Sequence, residues 1–292
     1  MTVLVFALVR VTGDPLDAML PLEATQQDRR DMQARLGLDK PLAAQYLVFV
    51  SDLARADLGT SVEYRPKKVA DLIQERWVAT FQLALAGNLL AVIVAVPLGV
   101  FAARRRGTLA DAGVRFVALL GQSLPVFVIG LLLIAVFANS LGWVPTSGMT
   151  SWESFVLPTV TMAVVIMPGI MRILRSSMIE ALTSDYVAFG RAQGLTDRTV
   201  VWKYSLRNAS IPAFTFAGLI LLNSLAGAVV TETVFAWPGL GQLAVQAVTS
   251  RDYPVVQGVV LVVTAAYLLG NLLIDIAYGF LDPRVRYESN RT

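Results

Sequence analysis

Five long apolar stretches of this chain carry no charged residue, and charged positions, from the single Glu153 to whole polar segments, bound them. They are Trp77–Ala103 (27 residues), Phe116–Trp152 (37), Ser154–Met171 (18), Asn208–Thr231 (24) and Tyr253–Ile274 (22). About 20 apolar residues in a helix cross a hydrocarbon layer of roughly 30 Å. Each run therefore predicts one membrane crossing. The longest holds one span and then a polar turn, Gly142-Trp143-Val144-Pro145-Thr146-Ser147-Gly148. Met1–Val11 is apolar but too short to cross, and Arg10 interrupts it. It reads as a signal peptide, an interfacial segment, or the tail of a first span. A signal peptide wants a basic start and a small-residue cleavage site, and neither is present.

Charge assigns a side to each connection. Ala102–Arg115 carries four Lys/Arg against one acid, and Arg172–Arg207 carries six against three. Asn139–Glu153 and Glu232–Asp252 together carry one basic residue. Basic connections stay on the cytoplasmic side, so the first two and the tail from Asp282 are expected there. The net charge of +3 then reports topology and calls for no nucleic-acid partner.

Between the apolar start and the first long run lies Thr12–Arg76, with nine Lys/Arg and eleven Asp/Glu. Gln26–Leu36 reads as a helix closed by Gly37, Leu38–Leu42 as a turn, Ala43–Leu53 as a second helix, and Asp57–Ser61 as another turn. This segment is either a solvated outer cap or a dock for a soluble binding protein.

Composition narrows the chemistry. With 55% hydrophobic residues and a mean hydropathy of +0.62, the chain is too apolar for an ordinary soluble domain. Cysteine and histidine are absent, which removes thiolate nucleophiles, disulfides, Cys/His metal sites and imidazole bases. No Walker-type phosphate loop occurs. No cofactor or metal site is expected, and energy must come from another subunit.

The most informative segment is Ser184–Pro212. Ile179, Leu182, Tyr186 and Phe189, at offsets 0, 3, 7 and 10, are expected on one helix face. Gly194 stands where a left-handed residue would close that helix, and Thr196 or Asp197 can cap a second one. Two short amphipathic helices joined by a tight turn make a docking element. The segment resembles the cytoplasmic "EAA loop" of binding-protein-dependent ABC importer permeases. In the general family pattern only Gly194 and Leu206 match, because the name-giving triplet falls on Ala188-Phe189-Gly190. The dipeptide/oligopeptide/nickel branch matches closely: Asp185-Tyr186-Val187, Arg191-Ala192, Gly194-Leu195, Leu206-Arg207-Asn208-Ala209 and Ile211-Pro212.

Further phrases extend the resemblance in order along nearly the whole chain. They are Leu8–Pro15, Leu36–Pro41, Asp57–Ser61, Glu232–Gly241, Arg251–Gly258 and Leu281–Arg286. It implies an all-α polytopic membrane protein with the type I importer permease (MetI-like) fold: five full spans plus an incomplete first one. The implied division is 1–11, a partial first helix; 12–76, an extracytoplasmic arm; 77–280, the permease domain with its coupling loop at 178–207; and 281–292, a cytoplasmic tail. The implied role is a bacterial cell-membrane permease subunit of an ATP-driven peptide importer and not an enzyme. Such a subunit works with a homologous second permease, two cytoplasmic ATPases, an extracytoplasmic binding protein, a peptide and the surrounding lipid. Nickel chelates and glutathione-like compounds remain open as substrates. The ATPase contact falls on Asp185, Tyr186, Ala188, Arg191, Ala192, Gly194, Leu195 and Leu206.

Polar residues inside spans are costly and ask for a reason. Gln122, Ser123, Asn223, Ser224 and the boundary acid Glu232 either line a path for a polar substrate or bond between helices. Other classes fit less well. An intramembrane enzyme would need paired acids or a Ser–Lys pair, and the spans hold no Lys. An ion-coupled carrier would need acids at mid-depth, whereas Glu232 and Asp275 fall near opposite ends.

Overall fold

The computed structural model describes residues 2–12, 25–35, 39–64 and 66–281, and its helices all lie among them. Gly13–Pro15, Gly37 and the tail from Asp282, for which the sequence carries expectations, lie outside the described residues. The chain divides into two compact units, Met1–Thr80 with Pro238–Ala266, and Phe81–Trp237 with Tyr267–Thr292.

The helices are α1 (Thr2–Thr12), α2 (Gln26–Arg35), α3 (Leu42–Ala54), α4 (Val69–Arg104), α5 (Leu109–Ser123) and α6 (Val126–Leu133). They continue with α7 (Val156–Leu182), α8 (Asp185–Ala192), α9 (Leu206–Gly227), α10 (Val229–Val234), α11 (Leu240–Thr249) and α12 (Tyr253–Leu281). Among the described residues, four stretches are long and apolar enough to cross a membrane: Val69–Arg104, Trp152–Leu182, Asp197–Leu225 and Tyr253–Ile274.

The longest uncharged run departs from the expected single span. It breaks at Leu124-Pro125 into Leu109–Ser123 and Val126–Ser140, bent by 100°. Proline forces its predecessor out of the helical region, and Leu124 is accordingly extended at φ −87°, ψ 136°. The bent pair counts as a fifth crossing if it is one span. The 208–231 run also divides: α9 ends at Gly227, and the separate α10 carries Glu232. By contrast, Pro97 lies inside an unbroken α4.

In the first unit, Val69, Leu72 and Ile73 of α4 pack with Leu240, Leu243 and Ala247 of α11 and Val255 and Val259 of α12. A glycine at 258 is needed there, because a Cβ would come within 2.5 Å of Val69 Cγ1. Asp252 is fully buried and ties the 61–63 loop to the start of α12. Its Oδ2 accepts from the Ser61 hydroxyl and from the Val62 and Glu63 amides at 3.0 and 3.1 Å. Its Oδ1 accepts from the Val255 amide at 3.4 Å. Thr80 Oγ1 takes the Leu240 amide at 2.7 Å, one of the orphan donors at the start of α11. On α1, Phe6 meets Tyr46 edge-on at 5.3 Å.

In the second unit α7 packs against α5, α6 and α9. Small residues let the backbones approach, as membrane helix pairs require. A Cβ at Gly87 of α4 would meet Met162 Cβ at 2.7 Å, and one at Gly169 would meet the Phe216 ring at 2.8 Å. The buried Asn88 donates from Nδ2 to the Ala217 carbonyl at 3.0 Å, so this intramembrane amide joins α4 to α9. At the other end of α5, Arg175 of α7 binds Asp111 through Nε and Nη2, both at 2.7 Å. Only 1% of the Asp111 side chain is exposed. It also accepts the Gly107 amide at 3.1 Å.

Candidate coupling loop and translocation path

The expected aromatic stripe does not form on one face. Helix α7 stops at Leu182, and Thr183, at φ −97° and ψ 0°, separates it from α8. The Thr183 hydroxyl donates to the Ile179 and Glu180 carbonyls, and Ser184 then starts a new helix with its backbone extended. The turn resets the helical phase. In α8 the buried positions are Val187 and Gly190, whereas Tyr186 and Phe189 are exposed.

Gly194 takes φ +83°, with nothing within 4 Å of where a Cβ would stand. It ends α8 with its amide bonded to the Arg191 carbonyl at 3.0 Å, while the Leu195 amide reaches back to Gly190 at 3.2 Å. That 6→1 link is one of the bonds of a Schellman closure. The close approach also explains the small residue at 190, since a Cβ there would lie 3.3 Å from Leu195 Cδ1. Thr196 caps the next turn by accepting the Thr199 amide at 3.4 Å.

The expected second short surface helix is instead the start of a span. One turn beyond the hinge, Asp197–Thr199, runs through a π-helical stretch, Val200–Ser205, straight into α9. No breaker stands between Thr199 and Leu206, and Pro212 lies inside α9. The hinge is thus joined rigidly to a span. The turn itself is tied to α4, because Arg104 binds Asp197 at 2.6 Å and Arg191 approaches it at 3.5 Å. Asp185, Tyr186, Ala188, Arg191, Ala192 and Gly194 are exposed, and Leu195 and Leu206 are half-buried. Trp202 and Tyr204, which the sequence pattern did not single out, are exposed as well. The buried partners of this segment are Val200, Val201 and Ser205.

The path candidates divide into two sets. Ser123 donates to Leu119 at 2.8 Å, Asn223 to Leu219 at 3.0 Å and Ser224 to Ile220 at 2.8 Å, each within its own helix. None of these bonds joins two helices. Gln122, Ser123 and Asn223 are exposed, whereas Ser224 is buried. Glu232 is fully buried, as is Trp237, whose amide donates to the Glu232 carbonyl at 2.8 Å and whose ring meets Phe155 edge-on at 4.5 Å. The Gly148 amide is bonded to the Phe235 carbonyl at 2.8 Å, which fastens the 141–151 connection to the end of α10. The sequence placed Glu232 at the end of a span; in the structure it is also fully buried. Among the described residues no cluster of acids could hold a metal ion.

An all-helical polytopic chain whose hinged basic loop leads directly into a span belongs to the class of membrane transport subunits. More narrowly, the chain belongs to the family of binding-protein-dependent transport system inner membrane components, whose family model matches residues 95–287. It is 35% identical over 297 residues to the oligopeptide transport system permease protein AppB of Bacillus subtilis (strain 168). It is 39% identical over 317 residues to the di/tripeptide transport system permease protein DppB of Pseudomonas aeruginosa (strain UCBPP-PA14). The glutathione transport system permease protein GsiC of Escherichia coli (strain K12) is 38% identical over 288 residues. Each alignment covers 98% of this chain and 94% of the relative. These relatives are transport permeases, not enzymes. Among solved structures, the inward-facing MetNI methionine ABC transporter superposes with a TM-score of 0.57 at 20% identity, over 70% of this chain and 95% of that one. That likeness supports the fold. As a family, such subunits work with ATPases, a partner permease and a binding protein.

Proposed function

We propose that the protein is one permease half of an ATP-driven peptide importer. The observation that carries this reading is the Ser184–Leu206 loop, whose exposed Asp185, Tyr186, Arg191 and Gly194 converge on a hinge continuous with α9. On this reading two cytoplasmic ATPases grip the loop, and their closure tilts the spans so that the opening moves from the outer to the inner side. A homologous permease supplies the other half of the path, and an external binding protein delivers the peptide. Of the path candidates, the exposed Gln122, Ser123 and Asn223 line it, whereas the buried Ser224 and Glu232 do not reach its surface. The exposed Ser123 hydroxyl and Asn223 amide, bonded within their own helices, and the exposed Gln122 amide leave polar surface for a substrate rich in backbone groups.

A glutathione-like substrate is the second reading, because the glutathione permease is as similar to this chain as the di/tripeptide permease is. Uptake of labelled dipeptide and of labelled glutathione by a strain lacking the gene, with and without the gene restored, separates them. Peptide uptake that returns with the gene and stops on ATP depletion supports the first. Restoration of glutathione uptake alone selects the second, and restoration of neither overturns both.

A further inference from the structure

The second unit contains a cleft of about 220 Å³ between α5 and α7, lined by Arg115, Ala118, Leu119 and Gln122 on one side and Pro168, Met171, Arg172 and Arg175 on the other. Each set is spaced i, i+3, i+4, i+7, so the cleft runs along two facing helical stripes. The helices touch at both of its ends. Toward the middle of the membrane, a Cβ on Gly121 would lie 3.1 Å from Val164 Cγ1, and toward the connection Asp111 clamps Arg175.

Charge is confined to one end of the lining. Its connection end holds three guanidiniums against one carboxylate, and that carboxylate is already taken by Arg175. Arg115 only approaches Asp111, at 3.4 Å, with its side chain half exposed. Arg172 makes no ion pair among the described residues. Deeper in, the walls are Ala118, Leu119, Met171 and Pro168, with the uncharged amide of Gln122 at the far end. The opposite face of α5 exposes Phe116, Val117 and Leu120, a surface suited to hydrocarbon.

We infer that this cleft is a binding site for an anionic phospholipid of the cytoplasmic leaflet. Arg172 and Arg115 hold the phosphate, and the first methylenes of an acyl chain lie along Leu119, Met171 and Pro168. Three features favour this occupant. A guanidinium without an ion pair, such as Arg172, recognises phosphate, and the half-exposed Arg115 can add to it. Basic pockets between spans on the cytoplasmic side take anionic head groups, and the connections at 102–115 and 172–207 carry the charge bias of that side. The confinement of charge to the connection end also follows the depth profile of a lipid, whose charge sits at the head group. The volume is below the roughly 300–1,000 Å³ of sites that enclose a whole drug-sized ligand, so the cleft takes the head group and leaves the remaining chain in the bilayer.

The test uses the protein purified from membranes in mild detergent with its associated subunits. Native mass spectrometry compares retention of short-chain phosphatidylglycerol and phosphatidylcholine by the wild type and by Arg172→Gln. The wild type is expected to retain phosphatidylglycerol at least about fivefold more strongly, the factor equivalent to ~1 kcal/mol for one basic residue facing an anionic lipid. Arg172→Gln is expected to lose that preference while keeping its melting temperature in phosphatidylcholine, because Arg172 takes no part in the clamp. Equal retention of the two lipids by the wild type overturns the inference, as does an unchanged preference in Arg172→Gln. Displacement of the lipid by millimolar inorganic phosphate, or by a dipeptide with a free carboxylate but not by its amide, overturns it too. The first would make the cleft a free-anion site and the second a station on the substrate path. Because retention is read without transport, failure here is distinguishable from failure of the importer reading.

Discussion

At residue 194 a single dihedral decides what can be tolerated. The positive φ and the empty space around a notional Cβ mean that substitution is opposed by backbone strain and not by crowding. Gly194→Val should cost on the order of 1–3 kcal/mol locally. Gly194→Asn should be nearly neutral, since Asn visits the left-handed region readily. We expect Gly194→Val to lose uptake and ATPase association while still inserting into the membrane, and Gly194→Asn to keep all three. Co-purification and uptake assays check this, and normal behaviour of the valine variant would remove the loop from the coupling role. Asn223 poses the opposite problem. Its amide bonds to its own helix at Leu219 and its side chain is exposed, so Asn223→Leu removes no bond between helices. The melting temperature of the purified complex should stay within the effect of about 0.5 kcal/mol typical of surface changes, while uptake falls. A lowered melting point with normal uptake would instead make Asn223 structural. Gly194 was legible in sequence because its conformation is set by local sterics. The surroundings of Asn223 and Glu232 were not, since burial depends on segments distant in the chain.

At the scale of elements, much of the order was readable. Uncharged runs located the long helices, and capping chemistry located the breaks at Gly194 and Thr196. The aromatic stripe over Ile179, Leu182, Tyr186 and Phe189 failed because its periodicity assumed one continuous helix, and Thr183 ends it. The pair Asp111–Arg175, 64 residues apart, was hidden for another reason. Asp111 was visible as the single acid in a basic connection, but nothing local names its partner. This pair clamps α5 to α7. Removing the carboxylate strands a partly buried guanidinium, which costs about 3 kcal/mol in buried pairs. Asp111→Ala should therefore lower the melting temperature of the complex measurably more than Arg115→Ala, whose side chain only approaches the same carboxylate. Equal shifts would show that the clamp contributes little. The 61–63 loop depends similarly on Asp252. Asp252→Ala leaves the Val62 and Glu63 amides without an acceptor, a loss of about 1–3 kcal/mol, and should sensitise the 57–68 segment to limited proteolysis. Unchanged cleavage would argue against the tether.

For the whole molecule, sidedness is the property most open to direct test, and the absence of native cysteine makes single-site labelling clean. Thr150→Cys and Arg106→Cys alter exposed positions in connections of opposite charge bias. An impermeant maleimide should label the first in intact cells and the second only after lysis; the reverse would invert the side of every connection. The fold class and family were legible from sequence because hydrocarbon imposes a length and a polarity on each crossing, and because ordered phrases along the chain match the family. Local hinge chemistry was legible for the same kind of reason: it is decided within a few residues. Tertiary structure alone decided the burial of Glu232, the Asp111–Arg175 clamp and the arginine-ended cleft between α5 and α7. These depend on which side chains meet across long separations, and a pattern of hydrophobic and polar positions records only that a face is covered, never by what.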